Sequence, residues 1–240
     1  MAGAILQLLA TSAPYVAPSY SFADVKLLLG FEGANASTGS PGMTDESSAA
    51  HGTATVTGTA QIDTSQFKFG ASSLHLNGGA YITFPDSADW DFGTGPFTIE
   101  GRFRFAAAPS NCILLAQWSG GWAFWFAGGA LGFRSGAAVD TTGYTWSPTL
   151  NQWYSISIDR DASNVARIYV DGVMVSKTTG YTENLTGSTA VLAIGSLAPA
   201  GFGTTYDLHG WCDEIRITGG WAKYASDSGY TPAVAAFPRS

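Results

Sequence analysis

Apolar and polar residues alternate along most of this chain with a period of two. In Phe97-Thr-Ile-Glu-Gly-Arg-Phe-Arg-Phe105, Phe97, Ile99, Phe103 and Phe105 fall on one face of a pleated strand and Thr98, Glu100, Arg102 and Arg104 on the other. One face is core and the other solvated or polar. Residues 154–159 repeat the alternation, and residues 167–175 place Asp171-Gly172 between two apolar runs, the pair that favours a two-residue hairpin. Further strands are predicted at 25–29, 73–76, 81–84, 113–117, 122–126, 131–133 and 191–194. About a dozen short strands with turn residues between them predict an all-β, two-sheet antiparallel sandwich. No window of eleven or more residues keeps a 3.6-residue apolar stripe, so helix is limited to single turns, one of them near residues 87–90. Residues 34–58, rich in Gly, Ser, Thr and Ala, read as a long irregular loop.

The closing strand is Gly210-Trp-Cys-Asp-Glu-Ile-Arg-Ile-Thr218. Strict alternation puts Trp211, Ile215 and Ile217 on the apolar face and Glu214, Arg216 and Thr218 on the polar one. Asp213 is then a misfit among apolar neighbours, and its carboxylate must find donors, a cation or water. Backbone donors or a nearby side chain at the start of the strand are the expected partners.

Composition narrows the function classes. A chain of 240 residues can bury a full core, and sandwiches of this size are commonly one domain. Eleven basic against eighteen acidic residues give a formal charge of -7 without a Lys/Arg cluster, which argues against nucleic acid as a partner. Cys112 and Cys212 are too sparse for a disulfide scaffold and have no zinc spacing; buried free thiols are favoured over a bridge. Residues 4–10 are apolar but too short to span a bilayer, and they lack the basic flank of an export signal. With Pro14 and Pro18 behind them, residues 1–24 read as an extended arm that docks on its own domain or on a neighbour. Residues 25–240 form the domain proper.

Several segments in order resemble one family: Leu27-Leu-Leu-Gly-Phe-Glu32, Phe69-Gly-Ala-Ser-Ser-Leu-His-Leu76, Asp86 with Asp89-Trp-Asp-Phe92, Phe97-Thr-Ile-Glu100, Trp153-Tyr154, Arg167-Ile-Tyr-Val-Asp-Gly172, Ile194-Gly195 and the closing strand with Lys223-Tyr224. Together they look like the concanavalin A-like, laminin-G-type jelly roll, over residues 25–238. The form ending in Asp-Glu-Ile-Arg-Ile-Thr with a Pro-containing tail is similar to modules of phage tail fibres, other virion proteins and bacterial surface proteins. That resemblance implies a curved sandwich whose sheet or rim loops often bind glycans.

Catalysis finds little support. A glycoside hydrolase needs two carboxylates about 5 to 10 Å apart. The glutamates Glu32, Glu46, Glu100, Glu183 and Glu214 never fall at alternate or every-fourth strand positions, and the Glu-x-Asp-x-x-Glu pattern of related glucanases is absent. Glu100 and Arg216 are expected to form a cross-strand structural ion pair, worth under about 1 kcal/mol if exposed. Asp86, Asp89 and Asp91, and Asp45 with Glu46, are the acidic clusters; turn formation is their expected role, with Ca²⁺ the alternative and no metal or cofactor assigned. His51, His75 and His209 are scattered, and none accompanies a nucleophile motif. The candidate ligand contacts are Trp118 and Trp122 in Trp118-Ser-Gly-Gly-Trp122-Ala-Phe-Trp125, exposed by glycines at a hairpin tip, while Trp125 is assigned to the core.

The expectation is a non-enzymatic virion protein, a capsid decoration, head-fibre or tail-associated component. It would display a lectin-like surface to host or environmental glycans and attach to other virion proteins through residues 1–24, as a homo-oligomer or in many copies on a particle. No membrane partner is expected. A secreted or surface carbohydrate-binding protein of a bacterium is the alternative, and a glycoside hydrolase a third.

Overall fold

The alternating runs pair into two antiparallel sheets packed face to face. The computed structural model describes residues 20–186 and 188–240. Among these residues the strands are, in chain order, β1 (Val25–Leu29), β2 (Thr55–Thr57), β3 (Gln61–Asp63), β4 (Ser73–Leu76), β5 (Tyr81–Phe84), β6 (Phe97–Phe105), β7 (Cys112–Gln117) and β8 (Trp122–Ala127). They continue as β9 (Ala130–Ser135), β10 (Tyr144–Thr145), β11 (Trp153–Arg160), β12 (Val165–Val170), β13 (Val173–Thr179), β14 (Leu192–Ile194) and β15 (Gly210–Gly219). Helix is confined to single 3-10 turns, including Ala88–Trp90, where Ser87 caps the Asp89 amide. The strands β2, β3 and β10 are two or three residues long, too short to show a period in the sequence.

The first sheet runs β13-β12-β11-β6-β15-β4-β3, with β1 also pairing to β15; the second runs β10-β9-β8-β7-β14-β5-β2. Between them the inward residues form one core that includes Ile99, Phe103, Phe124, Phe126, Phe133 and Ile217. Each such side chain contributes about 1.5–3 kcal/mol by leaving water. Cys112 and Cys212 lie in this core as free thiols, and burial pushes both well up from the usual thiol range. The Asp171-Gly172 hairpin forms between β12 and β13 with φ of 48° and 79°. A Cβ on Gly172 would meet the Tyr230 carbonyl at 2.0 Å, so only glycine lets the chain beyond β15 approach there.

Two expectations about which side chains share a face change. Along β15 the register against β6 shifts between Asp213 and Arg216, with Glu214 at φ 48°. This bulge adds one residue and reverses the alternation. Cys212, Ile215 and Ile217 enter the core, while Trp211 and Asp213 pair with Arg104 and Arg102 on the opposite face. Trp211 is therefore not a core residue: it is half-buried, stacked on His75 at 4.9 Å with Arg104 5.1 Å from its ring. Asp213 is no misfit on an apolar face either, and it accepts from the Lys68 and Phe69 amides at 2.7 and 2.9 Å.

The second change concerns the polar face of β6. Thr98, Glu100 and Arg102 are all buried, because residues 220–240 cross the outside of the first sheet. This tail meets Thr98 through Trp221 and Lys223, Asp159 through Tyr224 and Ala225, Arg102 through Ala233 and Glu214 through Phe237. Tyr20 and Phe22, at the end of the arm, pack with Val25, Leu28 and Phe237 against the same roof. The rest of the arm, residues 1–19, lies outside the described residues.

Candidate functional site

A network of buried charges lies on the roofed face. Arg216 donates to Glu100 Oε1 through Nε at 3.0 Å and Nη2 at 2.8 Å, Lys223 Nζ reaches the same oxygen at 2.9 Å, and the Tyr224 hydroxyl donates to Oε2. Side-chain exposure is 1% for Glu100 and 4% for Arg216, so the expected cross-strand pair forms, and it does so inside a buried network rather than as an exposed bridge. Burial would push the Glu100 carboxyl up; the Arg216 and Lys223 charges outweigh it and hold the group below its usual range. Arg216 also lies 3.7 Å from the Phe237 ring and donates to the Tyr20 hydroxyl at 3.2 Å.

Two further carboxylates clamp loops. Asp159 accepts from the Tyr224 and Ala225 amides at 3.2 and 2.7 Å, and burial pushes it up to about 6. Asp213 is pushed up to about 7, again mainly by burial, despite its two amide donors. Glu214 accepts from the Phe237 amide and from Arg239, which also reaches Glu46 at 2.6 Å. Tyr224 and Tyr230 stack at 3.5 Å, and Tyr230 shares a hydrogen bond with Ser157 at 2.9 Å. Glu100, Asp159 and Asp213 are thus held by donors of β15, of the tail or of the loop before β4, beneath a covered surface.

The acidic clusters named from the sequence are spread over different partners. Asp45 accepts from the amides of Leu28, Ser47 and His51, each at 2.9 Å, which organises the long loop before β2. Asp89 faces His51 at 3.1 Å and Lys26 at 3.8 Å, and Asp86 accepts from Gln117 at 3.0 Å. Asp91 lies near Asp86, and burial together with that charge raises its carboxyl. Among the described residues no three His, Cys, Asp or Glu side chains gather in a metal-binding group.

The outer face of the second sheet has a different character. Along β8, Trp122, Phe124 and Phe126 point into the core and Trp125 points out. Trp122 is fully buried, donates to the Trp90 carbonyl at 2.9 Å and stacks on Phe133 at 5.7 Å. It has no ring face to give a ligand, which corrects its place among the candidates. Trp125, assigned to the core from its aromatic flanks, takes that place. The alternation of β8 held the signal, since Trp125 has the parity of Ala123 and Ala127, not of Phe124 and Phe126.

Trp118 stays at the surface, half-buried, and its ring stacks on Trp125 with centroids 6.4 Å apart. Trp125 meets Tyr206 at 5.7 Å, Tyr206 meets Phe202 at 5.9 Å, and Phe202 returns to Trp118 at 6.4 Å. These four rings close a circuit. Trp118, Trp125 and Tyr206 stand on Ile113, Ala116, Ala123 and Leu197, whose small or branched side chains bring the rings down onto the sheet. Arg134 lies 5.4 Å from the Trp125 ring and pairs with Asp140 at 3.2 Å. A hollow of about 320 Å³ lies beside Trp118 and one of about 250 Å³ beside Trp125. The chain after β14 supplies Tyr206 and Phe202, which no strand pattern brings next to Trp118.

The chain matches the family model described as the concanavalin A-like lectin/glucanases superfamily over residues 76–223. None of the curated proteins matches. Among solved structures, domain 4 of AbnA, a GH43 extracellular arabinanase from Geobacillus stearothermophilus in complex with arabinotriose, superposes with a TM-score of 0.62 at 17% identity, covering 82% of this chain and 92% of that one. The binding domain of Paraclostridial Mosquitocidal Protein 1 gives 0.61 at 15% identity, covering 85% and 51%. The binding domain of botulinum neurotoxin DC in complex with SialylT gives 0.57 at 12%, covering 85% and 49%. This chain spans about half the length of those two toxin domains, and at such identities the likeness is one of fold.

Proposed function

Because the chain belongs to the concanavalin A-like lectin/glucanase superfamily, we propose that it is a non-catalytic, lectin-like module that binds carbohydrate on the platform of Trp118, Trp125, Tyr206 and Phe202. The observation that carries this reading is the open aromatic circuit on the second sheet, opposite a first sheet whose outer face is roofed by its own tail. Sugars lay their C–H faces on such rings, and a few polar groups orient the hydroxyls. The arabinotriose on the arabinanase domain and the SialylT on the neurotoxin domain support carbohydrate as the ligand class. The absence of catalysis is supported by the buried carboxylates, which serve as clamps. Glycan-array and affinity-gel binding tests the reading: Trp118→Ala/Trp125→Ala should lose retention, and undiminished retention by that variant would overturn it.

The module is further proposed to be a virion component, a capsid decoration, head-fibre or tail-associated protein attached through residues 1–24 and present in several copies. The resemblance of the closing strand and its Pro-containing tail to phage modules supports this. Deleting residues 1–24 should abolish incorporation into particles; normal incorporation would refute it. A secreted or surface protein of a bacterium is the second reading, favoured by the extracellular arabinanase among the structural neighbours. It requires cleavage near Ala13 in the mass spectrum of native material.

A further inference from the structure

We infer that the ligand of this platform is the interior of a neutral, linear polysaccharide rather than a terminal or acidic sugar, an inference that rests on the carbohydrate-binding reading above. The four rings pack on one another at 5.7–6.4 Å. Trp118 and Tyr206 each lie within about 30° of parallel to Trp125, while Phe202 meets Trp118 and Tyr206 edge-on at 76° and 84°. The three near-parallel rings form a ridge whose faces suit flat stacking.

The ridge is flanked on both sides. One hollow is lined by Ala116, Trp118, Ala190, Ala193, Leu197 and Pro199, the other by Trp125, Ala130, Gly132, Arg134, Asp140 and Thr141. Their volumes, about 320 and 250 Å³, lie near the lower bound of about 300 Å³ for small-molecule sites. Each therefore accommodates a short stretch of sugar and neither an oligosaccharide. Trp118 lines one hollow, Trp125 lines the other, and their rings are stacked 6.4 Å apart. A single extended chain that crosses the ridge fills both hollows and stacks between them. Both hollows open to solvent, so the chain can continue past either end.

Charge selects against acidic sugars. The cation at this face is Arg134, and it is already paired with Asp140 and set against the Trp125 ring. The protein carries a formal charge of -7. A sialic or uronic carboxylate would meet a cation whose charge Asp140 already offsets, and a repulsive field beyond it. Neutral pyranose or furanose units lose nothing on that account.

Calorimetry with neutral oligosaccharides cut from arabinan, xylan, β-glucan and mannan, from the monosaccharide to the hexasaccharide, tests this against sialylated and uronate oligosaccharides. The expected result is at least one neutral series in which Kd falls about tenfold or more from di- to tetrasaccharide and then levels off. Ala190→Leu and Ala130→Leu, each placing a neutral branch in one hollow, should return the tetrasaccharide to disaccharide-level affinity. Monosaccharides or acidic sugars binding as tightly as the neutral chains would overturn this inference and leave the carbohydrate-binding reading standing. Binding of no carbohydrate at all would overturn both.

Discussion

The two outward faces of the sandwich solve opposite problems. The first sheet turns Glu100, Arg102, Ser157, Asp159 and Arg216 outward and then covers them with residues 220–240, so its charges are neutralised inside the protein. The second sheet turns alanines, a glycine and two tryptophans outward and leaves the rings open. Perturbed carboxylates in a cleft commonly mark chemistry. Here Glu100, Asp159 and Asp213 lie on the roofed face, where each one holds a loop or the tail in place. The face proposed for the ligand has a single ion pair among the described residues and is built mainly from shape and aromatic surface.

The comparison breaks most sharply at the buried network. Arg216→Ala leaves Glu100 inside with Lys223 and Tyr224 alone, and breaking such a pair costs about 3–5 kcal/mol. Urea unfolding of the variant should show a loss of that order, whereas glycan affinity of the folded fraction should be unchanged. A loss below about 1 kcal/mol, the range of an exposed pair, would mean the tail does not seal this face.

Trp122 and Trp125 separate the two roles within one strand. Trp122→Ala removes a core ring and its hydrogen bond to the Trp90 carbonyl, for an expected loss of about 3–5 kcal/mol. Trp125→Ala should lower stability by only about 1 kcal/mol and weaken glycan binding by tenfold or so. Equal effects of the two variants on stability would refute the assignment of an inner and an outer ring.

The contrast also shows how much the residues disclose by themselves. The sandwich is legible, because alternation in β6, β8, β11 and the β12–β13 hairpin repeats over enough residues to specify strands and faces. The bulge at Glu214 is not, since one extra residue reverses the faces of β15 without any change of composition, and it moves Trp211 and Asp213 out of the expected core. The roof is hidden for a related reason: residues 220–240 have no period, and their position depends on contacts with strands far away in sequence. Of the site, Trp118 is legible at its glycine-rich turn. Trp125 is masked by its aromatic flanks, and Tyr206 and Phe202 arrive on a loop.

Titration should move one face and not the other. Burial raises Asp159 to about 6 and Asp213 to about 7, from an unfolded value near 3.8. Both bind protons more tightly when folded, so their contribution is fully present below about pH 4 and is lost as pH rises through about 6 and 7. Glu100, held low, acts in the opposite sense: its contribution is present above an unfolded value of 4.5 and fades as pH falls. Asp159→Asn/Asp213→Asn should therefore flatten the decline in stability between about pH 5 and pH 8, by on the order of 4 kcal/mol. Carbohydrate binding measured over the same range should stay level, and a parallel decline would couple the faces that the structure keeps apart.

The smallest expected effect lies at Arg134, where the charge of the open face is concentrated. Its pair with Asp140 is half-exposed and its guanidinium lies against the Trp125 ring, so Arg134→Ala should cost under about 1 kcal/mol of stability. If Arg134 serves to hold the Trp125 ring, Arg134→Gln, which keeps most of the stem, should bind neutral chains within about threefold of the parent. If instead Arg134 were an anion receptor kept in reserve by Asp140, Asp140→Asn would release it and create strong, salt-sensitive binding of acidic sugars. The orientation of Arg134 over Trp125 argues for the first outcome: the guanidinium lies against the ring with its charge offset by Asp140, and its stem extends the apolar shelf on which a sugar can lie.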